Sequence, residues 1–490
     1  MLKTQHLFWK YLLLAALMAM PVFGHLNTLP IRIWDESRLA INAYEMLRNG
    51  NYLVTHYKGE PDMWSTKPPL MIWLQVLSMK ALGVNELAIR LPSALAAFFT
   101  CLALLLFSQR YLKDFWFGFI AVFILITSPG YVSIHGIRTG DYDALLTLFT
   151  TLSGLFFFRW SERPQARWLY LSALTLALAV LTKSIAGILF LPAMLTWLLL
   201  RRKLTFLLKS RHFYGSLALF ILLTGSYYLL REMANPGYLA AVRENELGGR
   251  YLNVVEDHRG DFWYYLRNFW DFRMNYWILL VPAGLFTGLY AKEKRLTHLA
   301  QFSGLMALFF LLIISAGQTK LKWYDLPLYP FMALLAAIFV HYWFRYFRQL
   351  DWAQQTLRKN VMPFLFLLLL GFSPYMHIFQ KTYLPRETTA ENENLYALSN
   401  FLRGALRGEH KLNGQHLLYT DYKAHLLFYL NILHERGVEI DFKAPKDLKA
   451  GDIVSATQNH DKKYVEEHYD YKLLHQKGAL KTYKIYGVKE

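Results

Sequence analysis

A single cysteine, Cys101, among 490 residues leaves no partner for an intrachain disulfide and no thiolate set for a metal cluster. The chain also has no Gly-rich phosphate loop, internal repeat or low-complexity tract, which argues against an ATP-driven pump. Acids are scarce: 35 Asp and Glu face 53 Lys and Arg, for a formal charge of +18. That excess raises the question of nucleic acid, but in a chain of many apolar runs basic residues ordinarily hold loops on the cytoplasmic side, and no nucleic-acid partner is expected.

What is present is hydrocarbon. The chain is 54% apolar and 17% aromatic, yet its mean hydropathy is only +0.19, so membrane-embedded and polar parts are averaged together. Apolar runs long enough to cross a bilayer as helices recur about eleven times, at 8–28, 88–109, 114–134, 141–159, 167–182, 185–200, 213–231, 275–290, 297–316, 326–345 and 361–379. Lys3 and Lys10 precede the first, which reads as an uncleaved signal anchor. With the N-terminus inside, every short inner connection is basic: Arg110 and Lys113; Arg159, Arg163 and Arg167; Arg201 to Arg211; Lys292 to Arg295; Arg345 to Lys359. Three polar segments then fall outside, 29–87, 232–274 and the tail from about 380.

The tail changes composition after Gln380 and alternates helical stretches (Asn392–Arg407, Ala424–Arg436) with strand-like ones (Gln415–Thr420, Val438–Phe442, Asp452–Ala456, Lys481–Val488). The expected architecture is a mostly α, polytopic transmembrane bundle over 1–380, with surface helices in the first outer loop and a small soluble α/β domain over 381–490.

The outer segments carry the polar clusters. Asp35 and Glu36 open an amphipathic helix; taken alone, acids in a first turn are ordinary caps. Arg38 follows them. Lys67-Pro68-Pro69 opens another apolar helix, where prolines are at home but a cation opposes the helix dipole unless an anion lies between. Arg138, Asp141 and Asp143 sit at an outer hairpin, and Lys183 in a tight outer turn. Arg250 and His258 precede the aromatic run 262–265, and Lys320 and Tyr324 flank Trp323; single aromatics there fit an interfacial belt. His258 has no His or Cys neighbour, so no metal site is assigned. Cations on separate loops beside carboxylates suit a polyprenyl-phosphate sugar: cations hold the leaving phosphate while a carboxylate deprotonates an acceptor. A flippase of lipid-linked sugars is the rival class, though transporters usually show repeat-related halves with polar sites near the midplane.

The order of these motifs resembles the GT-C glycosyltransferases, in the branch that holds the protein O-mannosyltransferases and the lipid A aminoarabinose transferase. The shared pattern is Asp35-Glu36, Lys67-Pro68-Pro69, Arg90-Leu91-Pro92-Ser93, Asp143, Leu181-Thr182-Lys183, and Thr319-Lys320-Leu321 through Tyr324 to Pro327, covering roughly residues 25–345. The resemblance implies a multi-helix bundle in a bacterial inner membrane and an isoprenoid-phosphate sugar donor. The acceptor it implies is a lipid, glycan or protein on the periplasmic side. It makes Asp35 the catalytic base, Lys67, Arg250 and Tyr324 contacts to the donor phosphate, and Glu36 and Asp143 supports of the network, with Asp141 competing for the role of Asp143. Arg38, Arg138, Lys183, His258 and Lys320 complete the expected substrate-binding set. One departure is Thr66, where the aminoarabinose transferases carry an acid; a divalent cation held by that acid is not expected here, although a cation held elsewhere is left open.

Overall fold

The computed structural model describes residues 2–249, 254, 257–349, 358–383, 390–412 and 414–489. Seven helices are long and apolar enough to cross a bilayer: Glu86–Tyr111, Asp143–Glu162, Ala166–Ile188, Arg211–Ala234, Lys294–Ala316, Lys322–Gln349 and Val361–Thr382. The protein is thus a polytopic membrane protein. Arg211–Ala234 and Val361–Thr382 bury only 17% and 22% of their apolar windows, so their outer faces suit lipid. Of the four remaining expected spans, the first is helical from Leu2 to Phe23, and the other three are shorter helices, Phe115–Ile126, Leu191–Leu200 and Leu280–Leu289.

Local chemistry explains the shortening. Asp114 caps the helix at Phe115 by accepting the N–H groups of Trp116 and Phe117 at 2.8 and 3.2 Å. At its other end the hydroxyls of Thr127 and Ser128 turn back to the carbonyls of Phe123 and Ile124, at 2.6 and 2.7 Å, and Pro129-Gly130 follows. The helix therefore stops at Ile126, and residues 127–142 run irregularly to the next helix. That irregular stretch carries much of the polar machinery described below.

Two helices lie in the first long loop. Asp35–Asn49 buries Leu39, Ala43 and Met46 on one face and ends on Gly50, whose φ of +70° makes a left-handed cap with its N–H on the Met46 carbonyl. Leu70–Leu82 follows, opened by Pro68 and Pro69. In the tail, five strands lie in the order 440–442, 415–418, 453–456, 480–488, 469–477; the first three are parallel and the last two join antiparallel. The expected strands are all present. An additional edge strand, Tyr469–Lys477, was not legible because all but its first residue are exposed, which erases the two-residue alternation. The sheet has a small core of its own around Leu418, Val454 and Ile485, whereas Leu402, Tyr429 and Leu433 of the tail helices pack into the core shared with the bundle.

Close helix packing shows most sharply at Gly284 and Gly288, a small-xxx-small pair on Leu280–Leu289. A Cβ on Gly284 would lie 1.8 Å from the Leu335 carbonyl oxygen of the neighbouring helix, while one on Gly288 would meet side chains, the Ala300 Cβ at 2.4 Å. Gly284→Ala is therefore expected to lower the melting temperature of the detergent-purified protein far more than Leu289→Ala on the same helix, as followed by thermal-shift fluorescence.

Candidate functional site

The site begins with a buried ion pair. Glu36, fully buried, accepts from Arg90 Nε and Nη2 at 2.7 and 3.0 Å and from the N–H groups of Arg32 and Gly140 at 2.7 and 2.9 Å. Burial pushes its carboxyl up, but the Arg90 charge and these hydrogen bonds together hold it below the usual carboxylate range. Arg90 directs its remaining donors to the carbonyls of Leu26, Leu29 and Pro30 at 2.6–2.8 Å. Glu36 therefore works as a tie between loops, and its neighbour Asp35 is the carboxylate left facing outward, with a half-exposed side chain.

Asp35 opens its helix behind Trp34, whose φ of +73° is rare for a bulky residue. Its Oδ2 lies 3.8 Å from His135 Nδ1, and Asp141 Oδ2 lies 3.2 Å from the same nitrogen. His135 itself has φ +59° and stacks on Trp323 with ring centroids 3.7 Å apart. Its N–H donates to Thr139 Oγ1 at 2.8 Å, and that hydroxyl donates to Asp141. Burial disfavours the imidazolium, but the Asp141 carboxylate, aided by Asp35, overrides it and raises the His135 pKa to about 8.

Beside this triad opens a cavity of about 300 Å³. Its polar rim holds Lys67, Asp143, Lys183, Glu246 and Tyr324, and its depth is apolar, with Leu146, Leu189, Phe310 and Ile314. Lys183 Nζ donates to Asp143 Oδ1 at 2.5 Å and stands 5.0 Å from the Tyr324 ring. Lys67 Nζ pairs with Glu246 at 3.2 Å and lies 5.6 Å from the Tyr142 ring. Each cation thus has a carboxylate partner that an incoming anion can replace. Asp35 is near enough for its charge to act on Lys183.

A family model described as dolichyl-phosphate-mannose-protein mannosyltransferase matches residues 66–228, a stretch that includes Lys67, Arg90, Asp143 and Lys183. An uncharacterized protein of Aquifex aeolicus is 29% identical over 333 residues, 68% of this chain and 64% of that one. The undecaprenyl phosphate-alpha-4-amino-4-deoxy-L-arabinose arabinosyl transferase of Edwardsiella ictaluri is 27% identical over 334 residues, 65% of this chain and 58% of that one. Among solved structures, ArnT from Cupriavidus metallidurans bound to undecaprenyl phosphate superposes with a TM-score of 0.73 at 15% identity, covering 96% of this chain and 97% of that one. The oligosaccharyltransferase AglB of Archaeoglobus fulgidus gives 0.55 at 11% identity, over 97% and 74%. The chain thus shares the fold of these structures and is similar in sequence to these transferases. It spans less than two thirds of the length of the two sequence relatives.

Not every expected residue reaches the cavity. Lys320 was expected on substrate; its Nζ instead donates to the carbonyls of Ile314, Ser315 and Gly317, which satisfies the end of helix Lys294–Ala316. Arg38 was expected on substrate, but it forms a two-pronged pair with Asp62 at 2.9 and 2.7 Å; burial raises the Asp62 carboxyl, and Arg38 more than reverses that. Arg138 reaches the carbonyls of Pro21 and Gly24 and lines a different cavity. His258 is exposed, its carbonyl accepting the Lys320 N–H at 2.9 Å, and Arg250 lies outside the described residues.

Two residues were missed: Glu246, on the cavity rim, and His135, beside Asp35, neither of which carried a motif signal. The ligand atoms of Asp35, His135 and Asp141 lie within 4.8 Å of one another, a spacing and donor set that a divalent ion also fits once the imidazole is neutral.

The raised His135 pKa makes a signed prediction. A group whose pKa rises on folding stabilises the fold fully below its unfolded value of about 6.5 and loses that contribution as pH climbs through its folded value. The melting temperature should therefore fall between pH 6.5 and 8.5 or so in wild type, by a loss on the order of 2 kcal/mol, and His135→Gln should flatten that decline.

Proposed function

We propose that the protein transfers a sugar, with inversion, from a polyprenyl-phosphate donor to an envelope acceptor (lipid A, another glycan or a protein) on the periplasmic face of a bacterial inner membrane. The observation that carries the reading is the pairing of one apolar cavity with a cationic rim that abuts the outward-facing Asp35. An isoprenoid chain suits the Leu146, Leu189, Phe310 and Ile314 lining, and its phosphate suits Lys67 and Lys183. Kinship with proteins named for undecaprenyl-phosphate and dolichyl-phosphate sugars supports the same donor class.

In this mechanism Asp35 takes the proton of an acceptor hydroxyl as the acceptor oxygen bonds to the anomeric carbon from the face opposite the phosphate. The bond from that carbon to the phosphate oxygen breaks with its electron pair on the phosphate. Lys67 and Lys183 answer that growing charge, and their carboxylates Glu246 and Asp143 keep the two cations in place until it develops. The His135 imidazolium holds Asp35 and Asp141 in register. The polar face that the tail adds beside Asp35 belongs, in this reading, to a periplasmic domain over 381–490.

Asp35→Asn should lower the release of polyprenyl phosphate by about 10²- to 10⁴-fold, as expected for loss of a general base, with binding of polyprenyl phosphate unchanged. The measurement is donor turnover by purified protein given polyprenyl-phosphate sugars and an envelope extract, with acceptors identified by added mass. Turnover in wild type and its loss in the folded mutant support the enzyme. If neither protein transfers sugar, yet both move lipid-linked sugar across proteoliposome membranes, a flippase replaces it.

A further inference from the structure

Strands 415–418 and 453–456 of the tail run parallel, side by side, and the chain leaves them in opposite directions. From the first it passes through helix Ala424–Glu435 to strand 440–442 on one side; from the second it passes through helix Asn459–His468 to strands 469–477 and 480–488 on the other. In open α/β sheets the carboxyl ends of such a strand pair form a crevice that suits a ligand, because the two connections part there. Here both loops bring polar groups to it. Gln458 Oε1 accepts the Thr420 N–H at 3.0 Å, Gln458 Nε2 donates to Asp421, and Thr420 Oγ1 lies 2.6 Å from His460 Nε2.

Asp461 is the residue that calls for a ligand. It is only 1% exposed, yet neither of its carboxylate oxygens has a hydrogen bond among the described residues. Its Oδ1 faces the loop cluster, 3.5 Å from His460 Nε2. A buried acceptor without a donor is costly, and burial raises the Asp461 carboxyl despite the His460 charge. Lys and Arg outnumber acids 53 to 35 in this chain, but among the described residues neither Asp421 nor Asp461 has a Lys or Arg within ion-pair distance. Such acids repel phosphate and welcome donors. The ligand atoms of Asp421, His460 and Asp461 do not gather within 4.8 Å of one another, as those of Asp35, His135 and Asp141 do. Donors spread over one molecule therefore fit them better than a single cation, and the hydroxyls of a sugar ring are spread in that way. An apolar surface for the ring's C–H face stands close by: Tyr422, next after Asp421, stacks on Trp34 with centroids 4.7 Å apart, and Trp34 remains 59% exposed immediately before Asp35.

We infer that this crevice is a saccharide subsite: Asp461, Asp421 and the groups around them take hydroxyls of a sugar residue in a glycan acceptor, whose chain passes over Trp34 to reach Asp35. The assignment of the sugar to an acceptor rests on the proposed transfer; the saccharide subsite itself does not. Binding is therefore measured apart from turnover.

The full chain, purified in detergent, is titrated with oligosaccharide released from an envelope extract by mild acid, and binding is followed by saturation-transfer difference NMR. Calcium chloride, followed by thermal shift, serves as the cation probe. Wild type should bind the oligosaccharide, and Asp461→Asn and Asp421→Asn should each weaken it by about tenfold, or about 1.4 kcal/mol. Undecaprenyl phosphate should bind both variants as it binds wild type, which shows that they are folded and that the crevice is separate from the cavity lined by Lys67 and Lys183. Asp421 is exposed, so its variant keeps the test decisive where Asp461→Asn fails to fold. In turnover with the glycan acceptor, Asp421→Asn should raise KM by about tenfold and leave kcat in place. Oligosaccharide that does not bind wild type, or binds the folded variants equally well, overturns the subsite. Stabilisation by calcium that depends on Asp421, without oligosaccharide binding, replaces the sugar with a cation. Oligosaccharide binding through Asp421, with transfer only to a sugar-free protein or lipid, keeps the subsite and overturns its acceptor role. If the oligosaccharide is held through Asp421 while wild type transfers no sugar, the proposed function fails and the subsite stands.

Discussion

The outer end of the bundle is organised by the Glu36–Arg90 pair. Burying two opposite charges costs several kcal/mol per ion unless every donor and acceptor is answered. Here the carboxylate accepts four hydrogen bonds and the guanidinium reaches three carbonyls besides it. The partners come from the chain that leaves the first helix, the first turn of the Asp35 helix, the start of the second span and the loop before Asp141. Three segments distant in sequence, 26–36, the start of the second span and the loop before Asp141, are thereby fixed relative to one another, and Asp35 and Asp141 lie beside that fixation. A buried pair of this kind adds little net stability, and what it contributes is register.

The cations divide by what their protons do. Lys320 completes a helix end and Arg38 anchors Asp62, so both are structural despite sitting in the right loops. Lys67 and Lys183 line one cavity and have carboxylate partners that keep them ordered without an anion. Such pairing also sets a threshold, because an anion must compete with Glu246 or Asp143 before it gains the cation. Phosphate, with more charge and more acceptor oxygens than one carboxylate, is suited to that exchange.

This division marks where sequence reading reaches its limit. The apolar runs, the basic inner connections and the strand-like tail segments are local signals, and the architecture they imply is the one observed. Asp35, Lys67, Asp143, Lys183 and Tyr324 were singled out because their motifs come in a fixed order, and all but Asp35 line one cavity. Lys320 and Arg138 misled because a cation's place in a loop says nothing of which carbonyls lie within reach. His135 and Glu246 escaped notice because their importance depends wholly on partners far away in the chain, Asp35 for one and Lys67 for the other. The expected span 114–134 ends early as a helix for a different reason: hydropathy counts apolar residues, but Thr127, Ser128 and the Pro129-Gly130 step decide where hydrogen bonding stops.

The tail deepens the same lesson, because its composition breaks away from the bundle near 380 while its packing does not. Arg403 donates to the carbonyls of Asn27 and Thr28 and pairs with Glu86. Tyr429 accepts the Ile31 N–H and donates to Glu86, and Tyr396 accepts the Ile33 N–H. Tyr422 then stacks on Trp34 at 4.7 Å between ring centroids. Holding a bulky residue in the positive-φ region costs on the order of 1–3 kcal/mol and persists only where its surroundings over-determine it. The tail supplies those surroundings for Trp34, the residue immediately before Asp35. The break in composition therefore does not divide two independent units: the segment that carries Asp35 is clamped from the bundle side by Arg90 and from the tail side by Arg403, Tyr429 and Tyr422.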